Sequence, residues 1–315
     1  MSFMRSFWRS VNREEQPLIL TYAAGIMGGT GFAVFFGCGL MDALVASLVS
    51  LMIVFVGNWL GKRESNLLIY NLILAFLAEV VIIGMDFLGI GTHQDRIMIG
   101  IVMLLISALS TTNGIREMLQ RDFISGLINI MNSILGAAGI AFGIAIAMRL
   151  LGGGDSDGYV LNHNVGIQLI SCTVACVGFA LWFKIKGKQV IYSGIGAFFT
   201  WAIYLVVYEV WPSNFGATMA GAIFVAAYAF IMSRVNKAPA TIFLTASAFP
   251  LIPGPNLYYM MYGWVSADSA MAGREMDLLL ETCLAIALGF LIVDVVSRIV
   301  LYAKKMEYRV GKKTV

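Results

Sequence analysis

Residues 152–164 read GGGDSDGYVLNHN, a polar, glycine-rich break in a chain that is otherwise mostly apolar from residue 17 to residue 303. Five apolar segments precede it, at about 17–37, 42–60, 66–88, 97–119 and 123–151. Five follow, at about 165–185, 189–208, 214–233, 240–262 and 277–302. A helix needs about 20 apolar residues to cross a bilayer, so most segments match one crossing. None alternates apolar with polar, so the spans read as helices and not as barrel strands. Composition agrees. Of 315 residues, 59% are hydrophobic and 12% charged, against roughly a quarter charged in soluble domains. Mean hydropathy is +0.84. So little charge does not cover a water-soluble body, and lipid is the expected solvent. The reading is an all-α polytopic membrane protein with about ten transmembrane helices.

Lysine and arginine set the expected orientation. With the N-terminus inside and every segment crossing, 18 of the 21 basic residues fall on the cytoplasmic side. Arg96, Arg149 and Arg274 fall outside. The basic residues sit in loops between apolar runs, which points to a membrane and away from nucleic acid. The organisation follows: residues 1–16 a cytoplasmic lead-in, 17–151 a first five-helix unit, 152–164 an external linker, 165–303 a second unit and 304–315 a basic cytoplasmic tail. The lead-in, MSFMRSFWRSVNREEQ, lacks the apolar core and cleavage site of a secretory signal. Both termini are expected in the cytoplasm, and the protein in a bacterial inner membrane.

The two units carry ordered matches. Gly31-Phe32-Ala33 recurs as Gly178-Phe179-Ala180 at an offset of 147, Asn66 as Asn214 at 148, Gly114 as Gly254 at 140 and Arg149 as Arg298 at 149. An odd number of spans per unit makes such repeats inverted, a recurring plan among transporters with a site near the midplane.

Chemistry concentrates in Phe249-Pro250-Leu251-Ile252-Pro253-Gly254-Pro255-Asn256-Leu257-Tyr258-Tyr259, in the ninth span. Three of the six prolines fall within it. Proline removes a backbone donor and clashes with the preceding turn, so this helix should break. Broken backbone at membrane depth is tolerated where it is buried in protein or lines a wet cavity. A restarting helix offers N–H groups and a positive dipole end, suited to a carboxylate. A structural kink is the competing reading. The counterpart in the fourth span is Ser107-Ala108-Leu109-Ser110-Thr111-Thr112-Asn113-Gly114-Ile115-Arg116-Glu117. Arg116 could grip a carboxylate in a two-pronged hydrogen bond, or be an ordinary charge at the membrane edge.

At these motifs the chain resembles the threonine/serine exporter family, over nearly its whole length. The family's first half carries a Pro-Gly-x-Pro-Leu-x-Asn-x-x-Arg-Asp type motif. Asn113 and Arg116 match it, Glu117 supplies the acid, and Ser107, Ala108 and Ser110 stand where the family has Pro, Gly and Pro. Pro250, Pro253 and Gly254 match the Pro-x-x-Pro-Gly of the second module, and Val177-Gly178-Phe179-Ala180 its early Val-Gly-Phe-Ala. The resemblance implies proton-driven export of small amino acids. Some two-subunit relatives are linked to dicarboxylates instead, so a small organic acid such as succinate is the alternative substrate. Family members also carry a hydrophilic N-terminal region that this sequence does not show. A separate partner supplying it, or a homo-oligomer, is therefore kept open.

Charges within spans are costly and so point to function. Glu79, in the middle of span three, is the first candidate for a coupling proton, and Asp294 in span ten the second. An i, i+4 ion pair with Arg298 is the competing reading of Asp294. Asp86 and Glu281 read as interfacial. Asn129 and Asn132 read as helix-joining amides, and Gly25, Gly29, Ala33 and Gly37 as a packing stripe. Cys38, Cys172, Cys176 and Cys283 read as small packing residues. His93 and His163 fall in outer loops with no ligand role expected, and neither metal nor cofactor is expected. The candidate substrate site is Asn113, Gly114, Arg116, Pro250, Pro253, Gly254 and Asn256, with helix ends near Gly114 and Gly254. Three rivals remain: a membrane enzyme on a lipid-linked substrate, for which neither HExxH nor GxSxG is present; a channel; and a non-transporting subunit of an assembly.

Overall fold

The structure is a computed structural model that describes residues 17–91, 93–106, 108–152 and 161–311, without the side chains of residues 108, 109 and 301–311. The lead-in, residues 153–160 of the linker, Ser107 and the last four residues lie outside this range.

Twelve helices and no strand occur among the described residues. In the first half these are α1 (Leu18–Phe35), α2 (Leu40–Leu60), α3 (Leu67–Phe87), α4 (Gln94–Leu105), α5 (Ala108–Leu119) and α6 (Phe123–Leu151). The second half holds α7 (Val165–Trp182), α8 (Lys188–Val210), α9 (Asn214–Asn236), α10 (Ala240–Ala248), α11 (Gly254–Val265) and α12 (Ser269–Gly311). Side chains set several of the starts. Asn66 Oδ1 accepts from the N–H groups of Leu68 and Ile69 ahead of α3, and Asn164 Oδ1 does the same for Gly166 and Ile167 ahead of α7. Asp122 and Ser213 cap α6 and α9. Each removes an orphan donor of a first turn.

Among the described residues, eight helices are long and apolar enough to cross a membrane. The pair α4 and α5 passes as a ninth crossing, bent by 53°. Between α10 and α11 the chain makes a 3-10 turn, Phe249–Leu251. The tail differs from expectation: α12 runs on to Gly311, well past the end of the apolar segment. Large apolar side chains such as Ile19, Phe55, Ile124, Val210 and Ile299 remain well exposed. A bilayer gives such a surface a favourable neighbour.

Small residues let the helices approach. A Cβ on Gly178 of α7 would lie 2.6 Å from the Gly28 nitrogen of α1, and one on Gly31 would lie 2.8 Å from the Ala175 nitrogen. The two contacts are interchanged by a shift of 147 residues, as are the rings of Phe32 and Phe179, 5.7 Å apart at the same crossing. The other neighbours also recur in corresponding places: α3 on α6 and α9 on α12, α5 on α6 and α11 on α12, α6 on α11 and α12 on α5.

One end of the bundle collects the α1–α2 turn, the start of α4 and residues 161–164. Asn162 donates its backbone N–H to Phe35 O (2.9 Å), Arg96 donates to Gly37 O (3.0 Å), and His93 Nδ1 lies 2.9 Å from Asp42 Oδ2. This is the linker end.

Candidate functional site

Proline dictates the break between α10 and α11. Pro250 has no N–H to extend α10. Pro253 biases the residue before it towards extended backbone, and Ile252 is extended, with ψ 124°. The chain re-enters a helix at Gly254, with Pro253 at the N-cap and no side chain capping it. Gly254 lies close against Met103 Sδ and Ile106 Cγ2, so that a Cβ there would require the flexible Met103 side chain to shift. Ile106 is itself extended, ψ 136°, where α4 ends. The two broken spans therefore meet at their breaks.

Beside this meeting point is a cavity of about 140 Å³. Its floor is the break: Pro250, Leu251, Ile252, Pro253, Pro255 and Asn256. Phe32, Phe35 and Phe36 form one wall, with Met103 and Leu161. Trp201 and Tyr204 of α8, Asn214 and Thr218 of α9, and Leu278 and Thr282 of α12 complete it. None of these residues is charged. Leu161, Phe36 and Asn214 carry the cavity towards the linker end.

Polar groups in the walls are held in networks. Asn214 Nδ2 donates to Thr282 Oγ1 (3.1 Å), while its Oδ1 accepts from Tyr204 (3.2 Å) and Thr218 (3.5 Å). Asn256 Nδ2 donates to Glu275 Oε2 at 2.8 Å. Glu275, buried in α12, is also bound by Arg274, whose Nη2 is 3.0 Å from Oε1. Trp201 donates to Gln168 (3.1 Å), which in turn donates to Asn162 O.

Behind Phe32 of the cavity wall, on the side away from the linker end, lies a cluster of aromatic rings. Phe249 stacks on Phe179 with centroids 4.0 Å apart, and Phe183 lies 5.7 Å from Phe249. Phe32 reaches both Phe179 (5.7 Å) and Phe249 (6.5 Å). Rings at these separations attract beyond their simple burial.

The first-half motif lies elsewhere. The helix that was expected to restart near Gly114 starts at Ala108, so Asn113 and Gly114 are interior to α5. The residue types around them hold no proline, so nothing stops the helix there. Gly114 packs its backbone on α6: a Cβ would lie 2.7 Å from Gly126 O. The like contact in the second half is Gly263 on Ala272, at 2.7 Å. Gly114 and Gly263, 149 residues apart, thus make like helix contacts, whereas Gly254 meets Met103 and Ile106 at the second break. Arg116 is not in the cavity wall; its guanidinium lies 5.9 Å from the Phe290 ring. Glu117 accepts from Asn129 Nδ2 at 2.7 Å, so Asn129 does join two helices.

Glu79 is 0% exposed in α3, and neither carboxylate oxygen has a hydrogen-bond partner among the described residues. Asp95 at the linker end and Tyr258 of α11 lie within its electrostatic reach. Asp294 is bound by Arg298 at 2.7 Å, an i, i+4 pair on an exposed face. The four cysteines are buried and unbridged. Sequence reasoning missed the Asn214, Thr218 and Thr282 wall. Its one sign was polar residues inside apolar segments, and only the packing of α8, α9 and α12 gathers them.

Comparison with known proteins matches both halves. A model described as "Threonine/Serine exporter, ThrE" covers residues 168–296, and a second threonine/serine exporter model covers residues 9–151. The chain belongs to the threonine/serine exporter family. A threonine/serine exporter from Corynebacterium glutamicum is 21% identical over 306 residues, covering 90% of this chain. The chain spans 61% of that relative's length. No solved structure matches the chain. In this member of the exporter family the cavity draws on both matched regions. Phe32, Phe36 and Met103 come from the first, and the break, Asn214 and Thr282 from the second.

Proposed function

We propose that this chain is a secondary transporter of small neutral amino acids, which it binds in the cavity at the α10–α11 break. The observation that carries this reading is an uncharged cavity of about 140 Å³ set on a broken helix inside an apolar bundle. A cavity of about 150 Å³ admits a benzene-sized guest, and serine and threonine are of that order. The start of α11 supplies the positive dipole end for the substrate carboxylate. Pro255 has no N–H for the carbonyl of Leu251, four residues back in the cavity floor. That carbonyl suits the substrate ammonium. Asn256, fixed by buried Glu275, lies beside both. A zwitterion thus finds a partner for each charge without a charged side chain.

The dicarboxylate alternative lacks support in this geometry. Two carboxylates held away from water need cationic partners, and no lysine or arginine lines the cavity. Arg116, the arginine the sequence offers for that role, faces Phe290.

Transport then follows by alternating access. The two halves form inverted five-helix repeats that rock about the α1–α7 crossing, where Gly28, Gly31, Ala175 and Gly178 bring backbones together. With the linker end facing outward, as the 18 to 3 split of basic residues favours, the cavity leans outward. The rings of Phe179, Phe183 and Phe249 then form the inner gate. Glu79 is the proton carrier: an ionisable group inside the bundle, with no hydrogen-bond partner among the described residues, is the residue type that proton relays use. Asp294 has its partner in Arg298. The setting is a bacterial inner membrane with cytoplasmic termini.

The test is counterflow of labelled threonine in liposomes holding only this chain. Inhibition by serine supports the reading. Inhibition by succinate with none by serine would replace it with the dicarboxylate reading.

A further inference from the structure

The proposed substrate would be anchored by its carboxylate and ammonium at the break. The cavity wall facing the break has hydrogen-bonding capacity of its own. In apolar helices a buried hydroxyl usually donates to the carbonyl one turn back, and several here do. Ser50 donates to Ala46 O (2.7 Å), Ser171 to Ile167 O (2.6 Å) and Thr200 to Gly196 O (2.7 Å). Thr282 departs from that habit. Its Oγ1 accepts from Asn214 Nδ2 at 3.1 Å, and its hydroxyl proton has no acceptor among the described residues. Thr218 makes one long bond, 3.5 Å, to Asn214 Oδ1, and its lone pairs receive no donor among them. Both threonines are buried, 7% and 1% exposed, and both line the cavity. Asn214 between them is held in orientation by Tyr204 at 3.2 Å.

A buried hydroxyl without its partner is unfavourable unless something in the cavity completes it. Here an acceptor is wanted at Thr282 and a donor at Thr218. A single hydroxyl group on a guest can serve as both. We propose that Thr282 and Thr218, oriented through Asn214, are the specificity-determining residues that read a side-chain hydroxyl on the substrate. This deepens the amino-acid reading above and rests on it. A site built to bond a hydroxyl rejects the analogue that lacks it far more strongly than an apolar pocket rejects a missing methyl. The wall therefore favours threonine over 2-aminobutyrate and serine over alanine, pairs that differ by that hydroxyl alone.

The experiment is competition against labelled threonine counterflow, with 2-aminobutyrate, serine and alanine as competitors, on the wild-type chain and on Thr282→Val, Thr218→Val and Thr282→Ser. The wild type should prefer each hydroxylated member by about tenfold or more, the worth of one well-made hydrogen bond. Either valine variant should bring that ratio close to one, and Thr282→Ser should restore it. Ligand-induced thermal stabilisation of the purified variants gives the same ratio where flux is low. A wild type that exchanges amino acids without hydroxyl preference overturns the proposal, even if no valine variant folds. So does a folded valine variant that keeps the wild-type ratio. Absence of any amino-acid exchange or binding by the wild type defeats the transporter reading itself, and the hydroxyl proposal with it.

Discussion

Replacing Gly178 with alanine adds one methyl group at the crossing of α1 and α7. The new Cβ would sit 2.6 Å from the Gly28 nitrogen, 2.9 Å from Ala24 O and 2.9 Å from Met27 Cβ. Carbon atoms rest at about 3.5–4.0 Å, so the helices must part by about 1 Å. Two of the three obstacles are backbone atoms, which have no rotamer to move. Overpacking of this kind costs about 1–3 kcal/mol, and rigid neighbours place it towards the upper figure. Alanine's better helix propensity returns about 1 kcal/mol. The net loss is then about 2 kcal/mol, or about thirtyfold in the ratio of folded to unfolded protein. Gly84→Ala is the control, since nothing lies within 4 Å of its added methyl. There the propensity gain acts alone, and stability should rise by up to about 1 kcal/mol. Denaturant unfolding in detergent micelles measures both, with threonine counterflow measured in parallel. Gly178→Ala as stable and as active as the wild type would refute the close crossing, and with it the pivot.

Other predictions follow from the same geometry. Glu79→Gln keeps the shape of the side chain and removes its ionisation, so threonine counterflow should persist while accumulation driven by a proton gradient is lost; flux with and without the gradient measures this. Asp294→Asn should leave that coupling intact, because an exposed i, i+4 pair with Arg298 contributes only about 0.3–0.5 kcal/mol and lies apart from the cavity; the same flux ratio decides. Phe249→Ala removes the ring stacked 4.0 Å from Phe179, and a thiol introduced by Thr218→Cys should then react with impermeant reagents from the cytoplasmic side. Asn256→Leu leaves buried Glu275 without its amide partner and should cost about 1–3 kcal/mol in unfolding experiments, with weaker threonine binding.

The spans were legible because lipid allows so few solutions. An apolar run of about 20 residues has to be a helix, and Asn66, Asn164 and Asp122 mark starts with caps the sequence displays. The α10–α11 break was legible for a similar reason: prolines at 250, 253 and 255 act on the backbone locally. The first-half break was harder. Asn113-Gly114 resembles a helix interruption, yet Gly114 serves close packing against Gly126, and a contact between helices leaves no local mark. The surroundings of Arg116 were hidden for the same reason, since what it faces depends on where α12 packs. The hydroxyl wall was the least visible part. Asn214, Thr218 and Thr282 are ordinary polar residues in three apolar stretches until α9 and α12 pack side by side.

The most direct test of the account remains threonine counterflow into liposomes that contain only this chain, compared for the wild type and Asn256→Leu. The account predicts saturable exchange by the wild type, inhibited by serine and insensitive to succinate, with apparent affinity for threonine weakened in the variant. Serine-inhibited exchange with unchanged affinity in folded Asn256→Leu would remove the site from the α10–α11 break. Exchange inhibited by succinate and not by serine would contradict the claim that this uncharged cavity selects a neutral amino acid.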